Sequence, residues 1–311
     1  MRVLVTGGAG YIGSFAVRAL LNANHEVTII DSLENGKNVN KKAKFVKSNI
    51  SDSNKLNKAM KGIDAVMHFA GYIDVKESVE NPKKYYSNNF ANGVLLLDSM
   101  SKNNVKKIIF SSTAAVYGSP KKIPITEDSE LSPINPYGAS KLMMEKALEA
   151  SGFAGISSVR LRYFNVAGAA MDGSIGEAHK PETHLIPNIL LACKSGKAVN
   201  VFGTNHPTKD GTCIRDYIHV EDLVDAHVKA LDPNISGAIN LGTQNGFSVL
   251  EVIKACENVV GKKIMINEMP KRAGDPPILV ASSKKAKKLL GWTPKNGIEN
   301  IARSAWKWHA K

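Results

Sequence analysis

Residues 1–31 read MRVLVTGGAGYIGSFAVRALLNANHEVTIID. A strand-like run, Arg2–Thr6, enters a glycine turn with no spacer, and a second run, Glu26–Ile30, ends on an acid, Asp31. The turn Gly7-Gly8-Ala9-Gly10-Tyr11-Ile12-Gly13 satisfies G-x-G-x-x-G from Gly8 and G-x-x-G-x-x-G from Gly7. Glycine lets the backbone turn sharply, approach a pyrophosphate closely and pack helix on sheet, while the helix amino terminus offers N–H donors to the phosphates. Such a turn is common on its own, but Asp31 stands 18 residues beyond Gly13. A carboxylate at that place accepts both ribose hydroxyls of NAD and repels the 2′-phosphate of NADP, so the unit favours NAD, while Lys37 and the nearby lysines keep NADP as the alternative.

Further runs at Lys44–Lys47, Ala65–Phe69, Lys107–Ser111 and Ser158–Tyr163 alternate with helical stretches at Ser53–Lys61, Val79–Lys102 and Pro136–Ala150. That alternation predicts an α/β fold, a Rossmann-type doubly wound parallel sheet. After Phe164 the alternation weakens, and loops rich in Gly, Pro and His run through Ala167–Pro187 and Gly203–Gly211. A helix at Tyr217–Leu231 and a strand at Ala238–Leu241 are expected to rejoin the sheet, and helices at Val249–Val260 and Ser283–Leu290 to build a smaller lobe. The expected division is therefore interleaved. Residues 1–166, rejoined by about 217–241, form the cofactor domain, and residues 167–216 and 242–311 form a smaller C-terminal α/β substrate lobe.

With 311 residues, 43% of them hydrophobic, the chain can bury a full core. Its 41 basic and 28 acidic residues leave a net charge of +13. The excess lies in patches such as Lys41–Lys47 and Lys284–Lys288 without interleaved aromatics, which argues against a nucleic-acid partner. No apolar run is long enough for a membrane span, and no leader-like segment precedes the first strand. Three cysteines, Cys193, Cys213 and Cys256, lack metal-ligand spacing, so reduced thiols, a cytoplasmic location and no metal are expected.

In Asn135-Pro136-Tyr137-Gly138-Ala139-Ser140-Lys141 a tyrosine and a lysine stand four apart at a helix start and project from one face. A phenol is a poor base at neutral pH. A neighbouring ammonium and a positively charged nicotinamide both favour the phenolate, which brings Tyr137 towards the working range of a proton acceptor. Thr113 follows the run Lys107–Ser111 at the carboxyl edge of the sheet, where open α/β folds bind ligands, and offers a hydroxyl that relays a proton to Tyr137.

The sequence resembles the UDP-glucose 4-epimerase branch of the extended short-chain dehydrogenase/reductase family along nearly its whole length. The resemblance is carried by TGGAGYIGS at Thr6–Ser14, HFAG at His68–Gly71, YYSNN at Tyr85–Asn89, FSSTAAVYG at Phe110–Gly118, NPYGASK at Asn135–Lys141 and LRYFNVAGA at Leu161–Ala169. HLIPNIL at His184–Leu190, DGTCIRDYIHVEDL at Asp210–Leu223 and RAGDPP at Arg272–Pro277 continue it. It implies catalysis by Thr113, Tyr137 and Lys141. It implies NAD held by Gly7, Gly10, Tyr11, Ile12, Gly13, Asp31, Ser32, Asn35, Gly36, Asn49, Ile50, Phe69, Ala70, Gly71, Ile73, Asn89, Ser111, Tyr137, Lys141 and Phe164. A UDP-sugar would be held by Thr113, Tyr137, Asn165, His184, Leu185, Phe202, Arg215, Tyr217, Arg272 and Asp275. Two arginine forks suit a diphosphate, and Phe202 suits a uracil face.

Phe15, Asn49, Ile73 and His184 depart from residues common in that branch, and Leu279 is intermediate in size at a position that influences acceptance of N-acetylated sugars. The implied reaction is reversible C4 epimerisation of a UDP-hexose, UDP-galactose to UDP-glucose, through a 4-keto sugar, by a homodimer paired through the helices Val79–Lys102 and Pro136–Ala150. A UDP-N-acetylhexosamine or UDP-pentose substrate remains open. A dehydratase is disfavoured because Ala114 and Ala115, not acids, follow Thr113. A reductase would consume its cofactor stoichiometrically. Retention of Thr113, Tyr137 and Lys141 speaks against a non-catalytic nucleotide-sensing module.

Overall fold

Period-two alternation inside the strands explains how the main sheet is covered on both faces. The computed structural model describes residues 1–179, 181–272 and 275–311. Its first six strands are β1 (Arg2–Thr6), β2 (Glu26–Asp31), β3 (Lys44–Lys47), β4 (Ala65–His68), β5 (Lys107–Thr113) and β6 (Ser157–Tyr163). Then come β7 (Asn165–Ala167), β8 (Val199–Phe202), β9 (Ile214–His219), β10 (Gly237–Leu241), β11 (Gly246–Ser248), β12 (Ile266–Met269) and β13 (Ile278–Leu279). The helices are α1 (Tyr11–Asn22), α2 (Ser53–Met60), α3 (Val75–Glu80), α4 (Pro82–Tyr85), α5 (Asn92–Lys102), α6 (Pro136–Ala150), α7 (Leu185–Ser195), α8 (Val220–Lys229), α9 (Val249–Val260), α10 (Lys284–Leu290) and α11 (Ile298–His309).

Seven strands form a parallel sheet in the order β10-β6-β5-β4-β1-β2-β3. Val3, Val5, Ile29, Met67, Ile109 and Leu161 point to one face, where α1, α8 and α10 cover them with Phe15, Leu20, Leu223 and Leu290. Leu4, Ile30, Val66, Ile108 and Phe110 point to the other, under Leu56, Leu96, Met100, Met144 and Leu148 of α2, α5 and α6. Each fully buried aliphatic or aromatic side chain contributes about 1.5–3 kcal/mol. The strand order reverses between β1 and β4, and the carboxyl ends of β1, β4 and β5 therefore open on one crevice.

The small lobe grows from that same edge. β6 runs through Phe164 into β7, which pairs with β9; β9 also pairs with β11 and β13, and β8 pairs with β12. Ile186, Ile189, Leu190, Val252, Ile253, Ile301 and Ala305 from α7, α9 and α11 close a second core around Val201 and Tyr217. Among the described residues no helix is long and apolar enough to cross a membrane.

Two expected helices are corrected. The stretch Val79–Lys102 is not continuous: α3 stops at Glu80, α4 begins at Pro82, and a π-helical turn, Tyr86–Ala91, leads into α5. Proline pushes the preceding residue out of the helical region, and Asn81 accordingly sits at φ −136°, ψ 67° and caps α4 through the Lys84 N–H. Tyr217–Leu231 begins as strand, because Tyr217, Ile218 and His219 are taken into β9 by pairing with β7, and the helix starts only at Val220.

Candidate active site

The glycine turn leaves no room for side chains at its closest approaches. Gly7 has φ +71°, and a Cβ there would lie 2.6 Å from the Ala70 nitrogen at the end of β4. A Cβ on Gly13 would lie 2.1 Å from the Gly7 carbonyl oxygen, and one on Gly36 would lie 2.6 Å from the Ala9 carbonyl carbon. Gly10 caps α1 and donates its N–H to Gly7 O at 3.1 Å. Asp31 is fixed by two backbone donors, Ala9 N to Oδ2 at 3.0 Å and Leu33 N to Oδ1 at 2.8 Å, which leaves lone pairs on both oxygens for a diol. This cradle fits NAD: phosphates over the α1 amino terminus and a ribose at Asp31.

Other expected cofactor residues are dispersed around it. Ser32 is half-buried and accepts from Glu34 N, and Asn35 is exposed. Exposed Asn49 turns back to accept from Ser51 N at 2.9 Å, while the Ile50 side chain is buried in the sheet core. Ile12 packs against the α1 face of the core, and Ile73 is exposed. The Tyr11 hydroxyl donates to Gly168 O at 2.6 Å, which ties the glycine turn to the small lobe. The Phe69 ring lies 4.9 Å from His227, and Phe164 packs near Val116, Tyr117 and Leu279.

At α6 the Asn135 side chain accepts from Gly138 N at 2.8 Å and Pro136 occupies the first turn, which fixes where Tyr137 leaves the helix. Lys141 follows one turn later on the same side. Its Nζ donates to the Ser111 carbonyl at 2.9 Å and lies 4.9 Å from the Phe110 ring centroid. Burial lowers the Lys141 ammonium to about 8, against the opposing pull of Glu145. Burial raises the Tyr137 phenol above its ordinary value, and the Thr113 hydroxyl beside it pulls the other way. The Lys141 ammonium is turned to that backbone carbonyl, one helical turn from the phenol.

Thr113 accepts from Ala115 N at 3.1 Å and keeps its own proton to donate. The Ser111 hydroxyl is bonded to Tyr163. Gly71 faces both Asn89 and Lys141, since a Cβ there would lie 3.1 Å from Asn89 Oδ1 and 3.4 Å from Lys141 Nζ. Asn89, on the π-helical turn, accepts from Tyr72 N at 2.9 Å and donates to Tyr72 O at 3.0 Å and Ser140 Oγ at 3.2 Å. Its amide therefore joins the loop after β4 to α6.

The sequence reading missed the support beneath this group. Glu145, one further turn along α6, binds Arg162 through Nε at 2.9 Å and Nη2 at 2.6 Å, and also accepts from Ser112 Oγ. Arg162 Nη1 donates to the Tyr117 hydroxyl at 2.9 Å, and Tyr117 donates to Asn240 Oδ1 at 2.7 Å. The sequence signal was there: charged residues four apart, Lys141 and Glu145, on a helix face that otherwise carries Met144 and Leu148.

On the small-lobe side the expected residues form separate pairs. Asn165 Nδ2 donates to Asp216 O at 3.2 Å. Arg215 is paired with Asp275, and the Arg272 guanidinium lies 4.1 Å over the Phe202 ring, covering the face expected to meet a base. Tyr217 is 5% exposed and packs in the second core, so its ring does not line the crevice here. Within the RAGDPP motif, Ala273 and Gly274 lie outside the described residues. Leu185 begins α7, and His184 caps it without a side-chain capping bond.

His184 Nδ1 turns instead to Glu177, which His179 Nδ1 also meets at 3.0 Å. Bonds to Glu177 and Glu182 raise His179 to about 10. Burial opposes ionisation of Glu177, but the two histidines hold its carboxyl down at about 2.

Residues 3–242 match the NAD dependent epimerase/dehydratase family. A UDP-glucose 4-epimerase of Lactobacillus helveticus is 52% identical over 320 residues, covering 99% of this chain and 97% of that one, and one of Lacticaseibacillus casei is 47% identical with the same coverage. The crystal structure of UDP-glucose 4-epimerase from Brucella ovis in complex with NAD superposes with a TM-score of 0.95 at 40% identity, covering 98% of this chain and 97% of that one. The Bifidobacterium longum enzyme in complex with NAD+ and UDP gives 0.94 at 41% identity, covering 100% and 98%. A glycine cradle at the head of a seven-stranded parallel sheet, buried Thr113 and Lys141 with half-buried Tyr137 at its edge, and full-length identity near one half place the chain in the NAD dependent epimerase/dehydratase family.

Proposed function

We propose that this protein is an isomerase that interconverts UDP-galactose and UDP-glucose, with NAD as a tightly held cofactor. The observation that carries the reading is the gathering of buried Thr113 and Lys141 around half-buried Tyr137 at the sheet edge that also bears the glycine cradle. Bound NAD would supply a hydride acceptor for C4 that returns the same hydride, and a positive ring that favours the Tyr137 phenolate. Tyr137 then holds the proton taken from the sugar O4, with the Thr113 hydroxyl bridging donor and acceptor. Lys141, held by the Ser111 carbonyl, keeps a positive charge one turn below the phenol. Return of the proton from Tyr137 to O4 closes the cycle on a 4-keto sugar that has turned its other face. The Gly168 carbonyl bound by Tyr11 holds the lobes together and helps keep water from that intermediate.

The small-lobe residues Asn165, His184, Leu185, Phe202, Arg215, Arg272 and Asp275 would grip the UDP moiety. Arg215 and Arg272 would have to exchange their present partners, Asp275 and the Phe202 ring, for phosphate or base. A reactive nucleotide sugar and three free thiols suit the cytoplasm. Purified protein given UDP-galactose should form UDP-glucose without net change in reduced nicotinamide. A preparation that holds NAD yet converts no UDP-hexose, UDP-N-acetylhexosamine or UDP-pentose would overturn the assignment and leave the nucleotide-sensing reading. Two copies would pair through α5 and α6, where Phe90, Pro133, Leu142 and Met143 line an apolar depression beside exposed Val94 and Leu95. Met143→Glu should then turn a dimeric light-scattering mass into a monomeric one.

A further inference from the structure

The loop leading into α7 brings together four side chains, three of which the proposed reaction leaves idle. Glu177, His179, Glu182 and His184 each offer one ligating atom, an imidazole nitrogen or a carboxylate oxygen, and the four atoms lie within 4.8 Å of one another. The Glu177 and Glu182 side chains are only 2% and 8% exposed, and Oε2 of each is buried with no hydrogen-bond partner among the described residues. Buried anionic oxygens without donors are costly, and the histidines that face Glu177 leave both Oε2 atoms without a donor among the described residues. The cage is also held from behind. Glu177 O accepts from Trp308 Nε1 at 2.8 Å, and Glu182 Oε1 accepts from the N–H groups of Thr183 and His184 at 2.9 and 3.0 Å.

We propose that Glu177, His179, Glu182 and His184 form a binding site for a divalent transition-metal ion of the zinc class. Two imidazoles and two carboxylates select such ions over magnesium and calcium, which take oxygen ligands. With bonds near 2.1 Å a tetrahedral ion needs ligand atoms about 3.4 Å apart, so the widest pair closes by roughly an ångström while the two histidines draw back from Glu177. Both histidines already point Nδ1 at Glu177, and each exchanges a proton for the metal, so binding weakens at acid pH. The His179 ring lies 6.4 Å from Tyr11, which places the ion beside the glycine turn. On the proposed epimerase reading, His184 is also a substrate contact, and the metal positions its ring.

The test uses the NAD-loaded enzyme, treated with chelator and titrated with zinc and, as a spectroscopic probe, cobalt(II). One ion per chain is expected, with cobalt absorption bands of a four- or five-coordinate nitrogen–oxygen site and no comparable magnesium binding. His179→Asn and Glu182→Gln should each weaken zinc binding at least tenfold. Equal melting curves of the metal-free variants and parent would exclude misfolding as the cause, and where one variant melts early the other decides. Absence of stoichiometric zinc binding, equal affinity for magnesium, or unchanged affinity in the well-folded variants would overturn the site. Because these readouts need no turnover, they stand apart from the epimerase assay. A Michaelis constant for UDP-galactose indifferent to zinc would overturn only the link to His184.

Discussion

Tyr137 and Lys141 sit one turn apart, and burial drives the phenol up and the ammonium down, so neither is poised for proton transfer by its neighbour alone. The Thr113 hydroxyl is the protein's own lever on the phenol. Tyr137→Phe should lower turnover by about a hundredfold or more while NAD stays bound, since a positioned acid–base group contributes roughly 10²–10⁴; undiminished turnover would refute the role. At the other end of the crevice, Gly13→Ala puts a methyl 2.1 Å from the Gly7 carbonyl. That variant should fold but elute without cofactor, and retained NAD would contradict the cradle. These residues were legible because their spacing along the chain carries the chemistry. The pairing of Glu145 with Arg162 was not, although Glu145 stands one turn beyond Lys141, because the two are 17 residues apart and meet only after β6 is laid beside β5.

The elements that hold these residues are set by local rules plus one tertiary exception. The strand–helix alternation through Ala150 was readable from β-branched runs, as was α9, whose Ser248 and Glu251 form a capping box. The break at Asn81-Pro82 follows from proline geometry, which the reading of Val79–Lys102 as one helix left out. β9 was misread because Tyr217–His219 joins a helical stretch in sequence, and only pairing with β7 makes it strand. The π-helical turn is what carries Asn89 to its three partners. Asn89→Ala leaves Tyr72 and Ser140 short of partners and should cost about 1–3 kcal/mol. Urea titration should show an earlier midpoint, and NAD should be lost more readily because the loop holding Gly71 is untied from α6. An unchanged midpoint would mean that water replaces the amide without loss.

Across the whole molecule, the two lobes are joined by buried polar groups as much as by apolar cores, and this gives the fold a direction in pH. Burial pushes His68 down to about 3 and His219 and His227 to about 4, so all three stay neutral in the fold where unfolded histidines charge near 6.5. Their contribution is present above 6.5 and is lost as pH falls towards their folded values. His25, His206 and His309 are lowered as well and act in the same sense. His179 and His184 are raised, so their contribution is already complete below 6.5 and does not offset the loss. Glu177 begins to lose its stabilising charge only below the ordinary carboxyl range. Between about pH 6.5 and 4.5 the lowered histidines therefore dominate, each fully buried one costing on the order of 2 kcal/mol by pH 5. The urea midpoint should fall steeply from pH 7 to pH 5, and less so in His227→Gln, whose ring now rests on the Leu223 carbonyl between Phe69 and Tyr163. A midpoint that holds level across that interval would mean these rings take up protons as readily folded as unfolded, which their burial between sheet and helices does not allow.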